Sequence, residues 1–240
     1  LLAAGSGSIY ALGRAFRADE RGRWHSPEFC LLEWYRIGFD DQALMRDVAA
    51  LIKFIGGPSD WQQARYNDLL RQHTDLDALD VDTTALAEYC RDEGLMAAEH
   101  TDRDSLLDFL FATRVGPQLG HTGLQFVTHY PASQAALARL HQDDPRFAHR
   151  FELYWQGLEL ANGFFELTDP VEQARRFAAE TAQREQRDLP VLPTDESLLA
   201  ALRQGLPDCS GVALGVDRVL ALLLGAKRID DVQAFAWEQA

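Results

Sequence analysis

GVALGVDRVLALLL, residues 211–224, couples a strand-like run to a helix-like one through an Asp-Arg pair. Residues 209–217 read as a strand. The apolar run after it reads as a buried helix that Asp217, a good N-cap residue, starts. Gly211 and Gly215 carry no side chain and would let another group approach the strand closely. Arg218 then falls in the first helical turn, beside free backbone N–H groups. A guanidinium there could stack on a flat ring and reach a phosphate. The plainer reading is a surface arginine at a helix start, but its apolar flanks make burial costly unless something occupies the charge.

Around this junction lie 240 residues, 47% hydrophobic and 25% charged, enough to bury a sizeable core. No apolar run approaches the ~20 residues of a membrane span. Nothing resembles a secretory leader. Cys30, Cys90 and Cys209 are odd in number and form no CxxC or Cys/His cluster. A reducing cytoplasm is therefore expected, and no zinc site. The net charge of −14 argues against a broad nucleic-acid footprint. It allows a small anionic ligand in a local arginine pocket. The chain opens on LLAAG with no Met, so an upstream segment is expected.

Strands and helices do not alternate regularly, which predicts an α+β fold on an antiparallel sheet. Residues 9–17 and 28–38 predict two strands of a long hairpin with a charged tip, ADERGRWHSP. Residues 40–55 predict an amphipathic helix with acids at its start. The acidic stretch 57–100 predicts a helical surface insertion stopped by Gly94. Helices follow at 102–120, at 170–190 with Pro170 in its first turn, and at 196–207. Residues 124–131 and 147–169 read as strands.

Two further stretches carry charge in a pattern. The hairpin tip places Arg17, Arg21, Arg23 and His25 around one turn, with Trp24 and Phe29 beside them. Guanidinium groups grip phosphate with paired hydrogen bonds, and an aromatic face suits a nucleotide base. A charged loop can equally be charged because it is solvated. In RFELYWQGLELANGFFEL, Glu152, Glu159 and Glu166 recur every seven residues. An odd spacing alternates faces on a regular strand. A one-residue bulge at each of Gly157 and Gly163 would return all three to one face. A tight turn at Asn162-Gly163 would instead set Glu159 opposite Glu166. Converging carboxylates need a cation between them, Mg²⁺ or a substrate ammonium. Three solvated, outward-facing glutamates are the alternative.

Together these stretches resemble class II aminoacyl-tRNA synthetases. FRADE followed by HSPEF resembles their motif 2, and GVALGVDR their motif 3. ELANGFFELTD resembles the segment between them in lysyl-tRNA synthetases. HSPEFCLLEWYR, HYPASQAALAR, GLELANGFFELTD and LPDCSGVALGVDRV are closer still to the lysyl-tRNA synthetase paralogues that attach (R)-β-lysine to elongation factor P. The similarity covers most of the chain and is weakest at about 57–100.

The resemblance implies an antiparallel sheet flanked by helices, a homodimer, and ATP with Mg²⁺. It implies that Arg17 holds the α-phosphate and that Arg17 and Arg218 are catalytic. Ala18, Asp19, His25 and Ser26 would line the nucleotide. Phe29 and Arg218 would sandwich adenine, with Leu160 and Gly215 shaping that site. Glu152 and Glu159 would hold Mg²⁺. Glu33, Tyr35 and Glu166 would receive the amino groups of a lysine-like substrate, and Ala213 would set its choice. The partners implied are elongation factor P and (R)-β-lysine, without tRNA.

Some positions depart from the pattern. Arg17-Ala18-Asp19 stands where motif 2 usually reads Arg-Asn-Glu, and Ser26 replaces the usual Asn. Motif 1 is expected upstream of Leu1. Ala213 stands where lysyl-tRNA synthetases usually carry Gly, and a methyl group there favours a β- over an α-amino group. The competing readings are a lysyl-tRNA synthetase fragment, a non-catalytic synthetase-like module and an ammonia-using ligase resembling asparagine synthetase.

Overall fold

A computed structural model describes residues 1–18, 20–95 and 101–237. Among the described residues, seven strands form one sheet: β1 (Ile9–Phe16), β2 (Glu28–Ile37), β3 (Trp61–Arg65), β4 (Leu124–Pro131), β5 (Phe147–Trp155), β6 (Leu158–Phe165) and β7 (Cys209–Gly215). Their spatial order is β1-β2-β7-β6-β5-β4-β3. Every pairing is antiparallel except β3 with β4. With its flanking helices this is the α+β architecture that the element order predicts.

Helix α1 (Asp41–Phe54) starts where the Asp40 side chain accepts a hydrogen bond from the Ala43 N–H. Its Leu44, Met45, Val48 and Ile52 recur at helical spacing and are fully buried. They pack with Phe126, Phe151, Leu153, Leu160, Val212 and Leu214 on one face of the sheet. On the other face, α2 (Tyr66–Thr74), α3 (Thr83–Asp92) and α4 (Arg103–Leu110) form a second core with Val127, Tyr130 and Tyr154 at the β4 end. That core leaves the same face open over β2, β7 and β6. Helices α5 (Pro170–Gln186) and α6 (Glu196–Gln204) lie between β6 and β7 in the chain, and α7 (Val216–Leu224) follows β7 directly.

Several local expectations are corrected. Residues 61–65 are not helical: they form an edge strand that pairs parallel with β4, a partner 63 positions away at Trp61↔Leu124. Pairing decides this segment, because its short sequence has no helical apolar period. α2 and α3 behind it bury Leu69, Leu70 and Leu86 instead of lying loosely on the surface. The turn of the β5–β6 hairpin is Gln156-Gly157, with φ of 51° and 76°, not Asn162-Gly163. Gly163 sits mid-strand because a Cβ there would stand 2.4 Å from Cζ of Phe151, whose ring occupies the space. Asp217 is not the N-cap of α7; Gly215 holds that position. Asp217 is buried one step inside the helix, where its carboxylate accepts the Cys30 N–H at 2.6 Å. The junction is thereby tied to β2 instead of capping itself.

Candidate active site

The open face is built by strand alternation. Register sets Glu33 beside Ala213, Ala213 beside Asn162, and Asn162 beside Glu152, across four neighbouring strands. Side chains at these positions share one face. One irregularity is decisive. Pairing runs Leu153↔Ala161 and then Tyr154↔Glu159, so Leu160 is an extra residue on β6. This single bulge turns both Leu160 and Ala161 into the α1 core and brings Glu159 to the face that holds Glu152 and Glu166.

A cavity of about 360 Å³ opens on this face beside the β1–β2 tip. Arg17, His25, Ser26, Phe29, Glu159, Leu160, Ala213, Gly215 and Arg218 all line it. The Arg17 guanidinium lies 5.7 Å from the Phe29 ring centre. Arg218 reaches back from α7: its Nη1 donates to the Glu159 carbonyl at 2.9 Å and its Nε to the Trp24 carbonyl at 3.2 Å. These two bonds fix the guanidinium plane opposite the tip. A Cβ at Gly215 would meet nothing nearer than 3.8 Å, so the strand there is open to a ligand. Burial and the Arg218 charge hold the His25 pKa below its ordinary value, which keeps the ring neutral at pH 7.

The glutamates divide between two places. Glu159 and Glu152 lie together, and burial plus the Glu152 charge raises the Glu159 pKa. Arg218, Arg150 and Arg17 oppose that rise. Glu152 is held from both sides: Arg150 Nη2 donates to Oε1 at 2.7 Å and Tyr154 Oη to Oε2 at 2.8 Å. A buried and a half-buried carboxylate whose charges oppose each other form an oxygen-rich donor set that a hard divalent cation would relieve.

Glu166 sits further along the face, over Gly211. A Cβ on Gly211 would stand 2.4 Å from Tyr35 Cε1 and 2.5 Å from Glu166 Oε1. Glycine is thus what allows tyrosine and carboxylate to meet there. Burial pushes the Glu166 pKa up to about 8, against the pull of Arg139 and a hydrogen bond from the Gly211 backbone. Burial, Glu166 and Glu33 push Tyr35 up to about 12. Glu33, Tyr35 and Glu166 are therefore one electrostatic group, shaped to take an ammonium.

Other predicted residues fall elsewhere. Ala18 is exposed on the tip and does not line the cavity; Asp19 lies outside the described residues. Arg21 faces the Trp237 ring and Arg23 donates to the Lys227 carbonyl, so neither lines the main cavity. Both are drawn off by the chain that follows α7, which a reading of the tip alone does not contain. Two contributors escaped the sequence reading. Asn162 lines the cavity, and its side chain accepts from Arg150. It was hidden by the Asn-Gly turn signal. Arg150 also donates to the Gln134 carbonyl at 2.7 Å, so it braces Glu152 and Asn162 together. Its place immediately before Phe151-Glu152 was the only available signal.

The family described as tRNA synthetases class II (D, K and N) matches residues 1–239. A curated protein of Pectobacterium carotovorum, named elongation factor P–(R)-beta-lysine ligase, is 48% identical over all of this chain and 74% of its own length. Proteins of the same name from Yersinia enterocolitica and Photorhabdus laumondii are 49% and 47% identical, covering 98% and 100% of the chain and 73% and 74% of their own.

Proposed function

The chain belongs to the class II tRNA synthetase family (D, K and N), and on that premise we propose that it is a ligase that attaches (R)-β-lysine to a lysine of elongation factor P at the expense of ATP. The observation that carries this reading is the ammonium-shaped group of Glu33, Tyr35 and Glu166, set beside a base- and phosphate-shaped cavity. Relatives identical at about half of the positions aligned with this chain bear the name of that activity.

ATP fits with adenine between Phe29 and Arg218, and with the α-phosphate at Arg17. Leu160 and Gly215 supply the wall that the base approaches. His25 and Ser26 meet the remaining phosphates as neutral hydrogen-bonding groups. Glu159 and Glu152 would hold Mg²⁺, which offsets phosphate charge when bound. The β-lysine chain lies along the face, its ammonium groups at Glu166, Glu33 and Tyr35 and its carboxylate directed past Ala213 toward Arg17.

In the first step the substrate carboxylate attacks the α-phosphorus in line. The bond to the β-phosphate oxygen breaks and pyrophosphate leaves with the electron pair. Arg17 and Arg218 stabilise the charge that builds on the phosphoryl oxygens. In the second step the lysine amine of elongation factor P attacks the acyl carbon, loses a proton, and AMP departs. No protein nucleophile is required, so positioning supplies much of the rate. The enzyme acts in the cytoplasm as a homodimer. No helix among the described residues is long and apolar enough to cross a membrane.

The test is incubation with ATP, Mg²⁺, (R)-β-lysine and elongation factor P, followed by intact-protein mass spectrometry. A mass gain of one β-lysyl residue on elongation factor P, with AMP and pyrophosphate formed, is expected. Charging of tRNA with α-lysine and no modified elongation factor P would refute the reading.

A further inference from the structure

Behind the sheet, on the face opposite the cavity, a second polar cluster plays no part in the chemistry above. Asp41 opens α1, His149 lies on β5, and His141 lies in the chain that leads into β5. Their ligand atoms all fall within 4.8 Å of one another. His149 Nδ1 is 3.0 Å from Asp41 Oδ2. The His141 ring stacks on His149 with centres 3.5 Å apart, and His129 stacks on the outer side of His141 at 4.3 Å. Among these groups His141 Nε2 is buried without a hydrogen-bond partner. A buried imidazole nitrogen left unpaired is costly, and donation of its lone pair to a metal ion would satisfy it.

We propose that Asp41, His141 and His149 bind one divalent transition-metal ion of the Zn²⁺ class on the back face of the sheet. Two imidazoles and one carboxylate are a borderline-soft donor set, which suits Zn²⁺ and disfavours Mg²⁺ or Ca²⁺. In a tetrahedral Zn²⁺ site the ligand atoms stand roughly 3.4 Å apart, from metal–ligand lengths of about 2.1 Å. The cluster reaches that spacing by side-chain shifts of about 1 Å, with the His141 and His149 rings splaying from their present 30° tilt. Asp41 keeps one oxygen on the Gln42 N–H at 3.0 Å and turns the other toward the imidazoles, an orientation suited to ligation. Phe165 closes one side, its ring edge-on to His149 at 5.7 Å. The ion would tie the start of α1 to β5 and to the strand lead-in. The three ligands lie up to 108 positions apart, so no sequence spacing announces them.

The test uses the protein freed of metal with EDTA, kept reduced, and titrated with ZnCl₂ by calorimetry alongside thermal melts. One equivalent of Zn²⁺ per chain and a raised melting midpoint are expected. Co²⁺ in its place should give the visible absorption of a low-coordinate N/O site. In His141→Ala and His149→Ala the affinity should fall at least tenfold, and in the double variant that equivalent should be lost. The near-isosteric His149→Asn covers the case in which an alanine variant unfolds. Absence of a stoichiometric equivalent in the parent, or equal binding in parent and folded variants, would overturn the site.

Discussion

Gly211→Ala offers the sharpest test of the amino-group pocket, because the structure gives the size of the intrusion. The new methyl carbon would lie 2.4 Å from Tyr35 Cε1 and 2.5 Å from Glu166 Oε1. Carbon contacts are comfortable at about 3.5–4.0 Å, so both side chains must retreat by about 1 Å. They are the two groups that would meet a substrate ammonium. Misplacement on that scale costs about 10²-fold in rate, or roughly 2.7 kcal/mol of barrier. Overpacking lowers stability by about 1–3 kcal/mol, offset in part by the ~0.5–1 kcal/mol that alanine gains over glycine in a strand. We expect kcat/KM for (R)-β-lysine to fall about a hundredfold in ATP–pyrophosphate exchange, with ATP affinity within about twofold of the parent. Gly163→Ala is the control. Its methyl would strike the Phe151 ring at 2.4 Å on the opposite face. That variant should lose stability by a comparable amount while its folded fraction keeps the parent's amino-acid KM. A Gly211→Ala enzyme that folds and exchanges pyrophosphate within threefold of the parent would refute the reasoning, because the pocket would then lie elsewhere.

Arg218→Lys keeps the charge but cannot donate at once to the Glu159 and Trp24 carbonyls from one rigid plane; adenylation should fall by at least tenfold, and a variant with unchanged ATP KM would contradict the adenine assignment. Glu166 is protonated in the free fold up to about pH 8, and only its ionised form pairs with an ammonium. Affinity for (R)-β-lysine, read by calorimetry, should therefore rise about tenfold per pH unit below 8 and level off above it, with a proton released on binding; Glu166→Gln should flatten that profile. The same raised pKa sets the sign for stability without substrate: the Glu166 contribution is full below pH 4.5 and is lost as pH climbs through 8, so the parent's melting midpoint should decline over that range more than that of Glu166→Gln. Ala213 lies between Glu33 and Asn162 on the cavity floor. Ala213→Gly should shift preference toward α-lysine by about tenfold or more, as one methyl group is worth ~1–3 kcal/mol; an unchanged ratio of the two amino acids in pyrophosphate exchange would show that Ala213 does not set the choice.

The sequence by itself determined the elements whose signals are local. The β1–β2 hairpin, α1 with acids at its start and the Pro170 start of α5 follow from period, capping and turn chemistry over a few residues; the change from strand to helix near residue 216 does too, although its cap does not. The residue types of the cavity were legible too, through the resemblance of the runs that hold Arg17, Glu159 and Arg218 to the motifs of class II synthetases. Only the tertiary structure decided the rest. Whether Glu159 shares a face with Glu152 depends on one extra residue, Leu160, and that bulge exists because β5 and α1 leave both Leu160 and Ala161 a buried place. β3 is a strand because β4 offers it a free edge, which no window around Trp61 contains. Arg21 and Arg23 are drawn from the cavity by Trp237 and Lys227, more than two hundred residues on. The Asp41–His141–His149 cluster likewise appears only once α1 lies against β5. Local sequence fixes which conformations a segment prefers, over a reach of about one turn or one strand pair; which face a charge meets, and what occupies it, is set by partners that the chain brings together only on folding.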